Sequence, residues 1–70
     1  MNEVVKLVVN GTERHLPAGS TVRDLLDELG LDRDGVAVAV NRSIVPRSEH
    51  AREALPDGAQ VEVIRAVGGG

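Results

Sequence analysis

Residues Val4-Val5-Lys6-Leu7-Val8-Val9 run straight into Asn10-Gly11, a combination that leaves the start of the chain little conformational choice. β-Branched residues fit a pleated, half-buried strand. Asn-Gly is the strongest short-range signal for a two-residue hairpin turn, because both of its positions need positive φ. A second strand is therefore expected from Thr12 to Leu16. With a two-residue loop, Val9 faces Thr12, Leu7 faces Arg14 and Val5 faces Leu16, and those six side chains share one face of the ribbon. Arg14 is the odd member of that face. Either its stem lies along the sheet rim with the guanidinium in water, or a bulge re-aims it.

Pro17-Ala18-Gly19 reads as a turn, after which Ser20 or Thr21 caps a helix. Its apolar residues Val22, Leu25, Leu26 and Leu29 fall at i, i+3, i+4 and i+7, one buried stripe of an α-helix. Thr21 with Asp24 three residues on has the form of a capping box. Gly30 followed by Leu31 has the form of a left-handed C-cap with a hydrophobic follower. A polar link, Asp32 to Gly35, leads into Val36-Ala37-Val38-Ala39-Val40, a strand with valines on one face and alanines on the other. Asn41-Arg42-Ser43 turns the chain into a short edge segment, Ile44-Val45, which Pro46 ends because it cannot donate to a ladder. Ser48 to Leu55 is expected to form one or two helical turns. Pro56-Asp57-Gly58 then turns into a last strand, Gln60 to Arg65, with Val61 and Val63 facing inward.

The order of elements predicts an α+β fold with a mixed sheet of four to five strands and one main helix across it. A hairpin joined through a helix to later strands is the arrangement of the ubiquitin-like β-grasp. At 70 residues the chain holds one core and no second domain, expected as a body over residues 1–65 and a flexible C-terminal glycine tail over 66–70.

Composition narrows the function classes. There is no Phe, Trp or Tyr, and the formal charge is −3, so the stacking platforms and basic footprint of a nucleic-acid binder are missing. No cysteine means no disulfide framework, no thiolate nucleophile and no zinc cluster. The longest apolar run, Val36 to Val40, is far too short to span a bilayer, and no signal-peptide core is visible, so no membrane is expected and the location is expected to be cytoplasmic. His15 and His50 lack the spacing of metal ligands and read as exposed polar residues. Ser20, Ser43 and Ser48 have no nucleophile elbow around them. Asp24, Asp27 and Glu28 read as a solvated helix face, and Asp32 with Asp34 lacks the loop of a calcium site. No catalytic residue, metal site or bound cofactor is expected.

What remains is Ala66-Val67-Gly68-Gly69-Gly70, directly after a strand ending in Arg65. Glycines have no side chain and can thread a channel that excludes any larger residue. Five extended residues reach at most about 16 to 18 Å, enough to carry a terminal carboxylate into a partner's active site while the body stays outside.

The Asn10-Gly11 hairpin, Pro17-Ala18-Gly19-Ser20-Thr21-Val22 leading to Asp24-Leu25-Leu26, and Val38-Ala39-Val40-Asn41 with Ile44-Val45-Pro46-Arg47 form an ordered set. Together with Asp57-Gly58 and the final Gly69-Gly70, that set resembles the ThiS family of thiamine-pathway sulfur carriers over essentially the whole chain. Two departures stand out: Arg14 occupies a position where an apolar or neutral residue is expected, and Gly68 lengthens the diglycine by one. The resemblance implies a protein co-substrate and not an enzyme. Its Gly70 carboxylate is adenylated by a ThiF-type enzyme, with ATP consumed in trans, and is then converted to a thiocarboxylate with sulfur drawn ultimately from a cysteine desulfurase. The thiazole synthase ThiG takes that sulfur for the thiazole ring of thiamine. In that scheme Val67, Gly68 and Gly69 thread, the exposed sheet face beside the last strand docks the partners, and Arg65, by its position, contributes to docking.

Two other readings share the fold. A sulfur carrier for another pathway, such as the small subunit of molybdopterin synthase or a carrier for cysteine synthesis, uses the same diglycine logic, but chain length and Ile44-Val45-Pro46-Arg47 favour the thiamine branch. An RNA-binding module of the TGS type shares the hairpin and the helix, but it needs a basic face and has no use for a terminal diglycine.

Overall fold

The hairpin register forced by Asn10-Gly11 is the one observed. The computed structural model describes residues 3–31 and 35–65. In it β1 (Val4–Val9) pairs antiparallel with β2 (Thr12–Pro17), with Val9 opposite Thr12, Leu7 opposite Arg14 and Val5 opposite Leu16. Asn10 and Gly11 take φ of 50° and 84°, the positive values the turn demands. The register is unbroken, so no bulge relocates Arg14, and its side chain is exposed.

Helix α1 spans Val22–Leu29 and is capped at both ends as its sequence predicts. Thr21 accepts from the Asp24 N–H while Asp24 accepts from the Thr21 N–H, at 3.2 and 2.9 Å. At the other end Gly30, with φ 70°, lets its own N–H reach Asp27 O and the Leu31 N–H reach Leu26 O. That is the paired bonding of a Schellman motif.

β3 (Val36–Val40), β4 (Ser43–Val45), a 3₁₀ turn (Arg47–Glu49) and β5 (Ala59–Arg65) follow. The five strands form one sheet in the order β2-β1-β5-β3-β4. β1 and β5 are parallel and every other neighbouring pair is antiparallel. This is the ubiquitin-like β-grasp. The inward residues Leu7, Val38 and Val61 pack with Val22, Leu25 and Leu26 of α1 in a core almost closed to solvent. Ala39 is also buried, although it lies on the face opposite Val38 and Val40.

Two expectations need correction. Residues 48–55 form no extended helix: a single 3₁₀ turn begins at Arg47, and the chain then crosses the start of α1. The reason is the four unsatisfied N–H groups at a helix start. The His50 and Glu53 carbonyls accept from the Arg23 and Val22 N–H groups, at 2.9 and 3.0 Å, and so serve α1 instead of a helix of their own. In the same segment His50 is buried and not exposed, at 2% accessibility. Its Nε2 donates to Val45 O over 3.2 Å, while Nδ1 is buried without a partner. His15, by contrast, is exposed beside Glu13, with 2.8 Å between Nε2 and Oε2.

Candidate functional site

The sequence places the working end after β5, so the site is built outward from that strand. β5 is the middle strand of the sheet, held on both sides by ladders: Leu7 to Val9 of β1 on one side and Val36 to Val40 of β3 on the other. Its entrance is also tied down. The Lys6 N–H donates to the Asp57 carboxylate at 2.8 Å, and the Gly58 N–H donates to Lys6 O at 2.7 Å.

Towards its exit, β5 outruns β1. The last paired residue of β1 is Val9, opposite Val61, after which β1 turns away. The Asn10 side chain continues the ladder where the backbone stops. Its Oδ1 accepts from the Val63 N–H at 2.9 Å, and its Nδ2 donates to Val63 O at 3.1 Å. A carboxamide carries the donor and acceptor of a peptide group, so Asn10 stands in for one more residue of strand. Asn41 does the same on the β3 side near the entrance: its Oδ1 accepts from the Gln60 N–H at 2.9 Å, and its own N–H donates to Gln60 O. Both asparagines have φ of 50°. Sequence reasoning saw in them only turn residues.

Arg65 is the last residue of β5, exposed, and paired with Val36. By strand alternation it lies on the side of Val61 and Val63, the face that carries the helix. Val67, Gly68, Gly69 and Gly70 lie outside the described residues. The opposite face of the sheet carries a strip that the sequence left unnamed. Ile64 lies opposite Ala37, and Ile44 opposite Ala39, across neighbouring strands. Ile64 and Ile44 are 56% and 67% exposed. The alternating valines and alanines of β3 were the available signal, since small outward residues leave isoleucines on either side standing clear.

Among the described residues no group of histidine and acidic side chains could hold a metal ion. Among the same residues no helix is long and apolar enough to cross a membrane. What the arrangement can do is present: a central strand, tied near both ends, finishes at Arg65 with an apolar strip on one face of its sheet and the helix on the other.

Comparison with known proteins bears on what is presented. A model of the ThiS family matches residues 2–70. The chain is 33% identical over 66 residues to the sulfur carrier protein ThiS of Escherichia coli K12, a match covering 94% of this chain and 100% of that protein. It is 48% identical over 66 residues to a thiazole synthase of Paramagnetospirillum magneticum, of whose length the match spans only 20%. Among solved structures it is similar to the thiamine biosynthesis protein (ThiS) of Geobacter metallireducens. That likeness has a TM-score of 0.75 and 28% identity, covering 94% of this chain and 100% of the other.

Proposed function

The chain belongs to the ThiS family, and from that premise we propose that it is a sulfur carrier of thiamine biosynthesis, a protein co-substrate and not an enzyme, whose sulfur is carried on the carboxyl group of Gly70. The observation that carries the reading is a match that covers 94% of this chain and the whole of a sulfur carrier protein.

The chemistry follows from what a carboxylate lacks. It is a poor electrophile, because any attacking nucleophile meets its negative charge and no good leaving group is present. On a ThiF-type partner a Gly70 carboxylate oxygen attacks the α-phosphorus of ATP, the bond to pyrophosphate breaks, and an acyl-adenylate forms. A persulfide sulfur supplied ultimately by a cysteine desulfurase then attacks the acyl carbon and displaces AMP, and a thiol reductant cleaves the S–S bond of the acyl disulfide so formed to leave a thiocarboxylate. ATP is bound and consumed on the partner in the cytoplasm, and this chain holds no cofactor.

Thiazole synthase is the acceptor, a reading supported by the stretch within the Paramagnetospirillum enzyme that aligns with this chain. Val67, Gly68 and Gly69 thread because a channel narrow enough to exclude water around a reactive acyl group admits little beyond backbone. The strip of Ile64, Ala37 and Ile44 docks the partner's apolar surface, and Arg65 contributes at the root of the tail. Unchanged adenylation kinetics in an Arg65→Ala variant would remove that last role.

The test is intact-mass analysis after incubation with ATP, a sulfur source and the cognate adenylating enzyme. The expected result is a gain equal to the difference between sulfur and oxygen, located at the C-terminus, and none after deletion of Gly70. Thiazole formation that survives deletion of Gly70 sinks the proposal.

A further inference from the structure

Arg14 is the residue that neither the core nor the chemistry absorbs. It lies on the helix side of the sheet opposite Leu7, yet its guanidinium is exposed and forms no ion pair among the described residues. It stands on the rim of a cleft of about 280 Å³ between the hairpin and the end of α1. The floor is Val9, Val63, Leu29 and Leu31, and Thr12 stands on the rim with Arg14. At that size the cleft falls just below the range for drug-sized ligands, roughly 300–1,000 Å³, and suits an inserted side chain better than a nucleotide.

Its position matters more than its volume. Val63 is two residues from the end of β5, so the cleft opens at the root of the tail. Arg65 lies on the same side of the sheet by strand alternation. Arg14 therefore sets a cation on the rim of an apolar hollow, in a chain whose net charge is −3. The hollow also lies on the face away from the Ile44 and Ile64 strip, so a partner that surrounds the tail meets both.

We infer that this cleft is a second docking contact, taking an acidic segment of the adenylating partner that places an aliphatic side chain on the Val9, Val63, Leu29 and Leu31 floor and a carboxylate against Arg14. A guanidinium receives a carboxylate through two parallel hydrogen bonds, and an ammonium cannot. The contact rests on the carrier reading, since it assumes that the partner is the enzyme receiving the tail. It adds where that enzyme grips.

The experiment titrates full-length wild type, Arg14→Glu and Arg14→Lys into the cognate adenylating enzyme by calorimetry without ATP, at low and at moderate salt. Pyrophosphate release is measured separately. Arg14→Glu is expected to weaken binding by about tenfold or more and to flatten the salt dependence, with Arg14→Lys in between. Its kcat should be unchanged, because Arg14 does not touch the reacting atoms. Binding of Arg14→Glu within about twofold of wild type overturns the inference, whatever the pyrophosphate assay reads. Tighter binding or a lower KM in Arg14→Glu also overturns it, because the cleft then holds this chain's own tail carboxylate. Loss of a concentration-dependent dimer in Arg14→Glu, with enzyme binding intact, assigns the cleft to a second copy instead. Tight wild-type binding without pyrophosphate release refutes the carrier chemistry while leaving the cleft to be judged by its own variants.

Discussion

Replacing Asn10 by glycine separates the turn from the clamp. Glycine accepts the φ of 50° at this position, so the hairpin turn survives, while both side-chain bonds to Val63 are lost. Each such bond contributes about 0.5–1.5 kcal/mol net, and a buried group left without a partner costs about 1–3 kcal/mol. The site is only part-buried, so water recovers some of the loss. We expect about 2 kcal/mol of destabilisation, against a total on the order of 3.5–10 kcal/mol for a chain of this length. At about 4–8 °C per kcal/mol, the midpoint should fall by about 8–16 °C. Asn41→Gly is the matched control: it has the same φ and the same added backbone freedom, but loses a single exposed side-chain bond to Gln60. Thermal denaturation gives the stabilities, and amide exchange at Val63 reads the clamp directly, since that N–H has Asn10 Oδ1 as its acceptor. Losses that agree within about 0.5 kcal/mol, with no faster exchange at Val63 in Asn10→Gly, would show that Asn10 is only a turn residue.

Two further outcomes test the core and the docking strip. Leu26 is fully buried, so Leu26→Ala should cost about 2–5 kcal/mol in urea denaturation, most of the stability available, whereas Leu26→Met should cost less than about 1.5 kcal/mol. Ile44 is 67% exposed, so Ile44→Glu should leave stability within about 0.5 kcal/mol while weakening calorimetric binding to the adenylating enzyme by about tenfold or more; unchanged binding removes the strip from the docking surface.

Local chemistry was legible wherever neighbouring residues decide the outcome. Asn10-Gly11 sets a register that every facing pair obeys, and Thr21 with Asp24 and Gly30 with Leu31 mark both ends of α1. What escaped depends on residues far apart in the chain. Nothing near Asn10 reveals that β5 runs parallel to β1 and outlasts it, so a ladder formed by one side chain across 53 positions could not be foreseen. His50 lies in a polar stretch with no buried periodicity, and it is buried because its segment must cross the start of α1. The helical expectation for residues 48–55 failed for the same reason: carbonyls that a local helix would use are needed by another element. Of the candidate site, the glycines of the tail were readable but lie outside the described residues, Arg65 was placed without its face, and the Ile44 and Ile64 strip needed the strand order to be assembled.

The strand order also bears on why a carrier of this kind is built as a β-grasp. A tail leaving an edge strand would pull on one ladder, and an edge can peel residue by residue or pair with another chain. Here the tail follows the central strand, which must break with β1 and β3 together before it moves. The ties at Lys6, Gln60 and Val63 lie along the whole length of β5, from its entrance to two residues before its end. Ordering β5 is therefore settled in folding and not on binding. That division favours a partner that holds the body by its two faces and spends little on positioning the strand, so that affinity and the reach of the carboxylate are set by different residues. Variants in the faces should then change KM, and variants in the tail should change kcat.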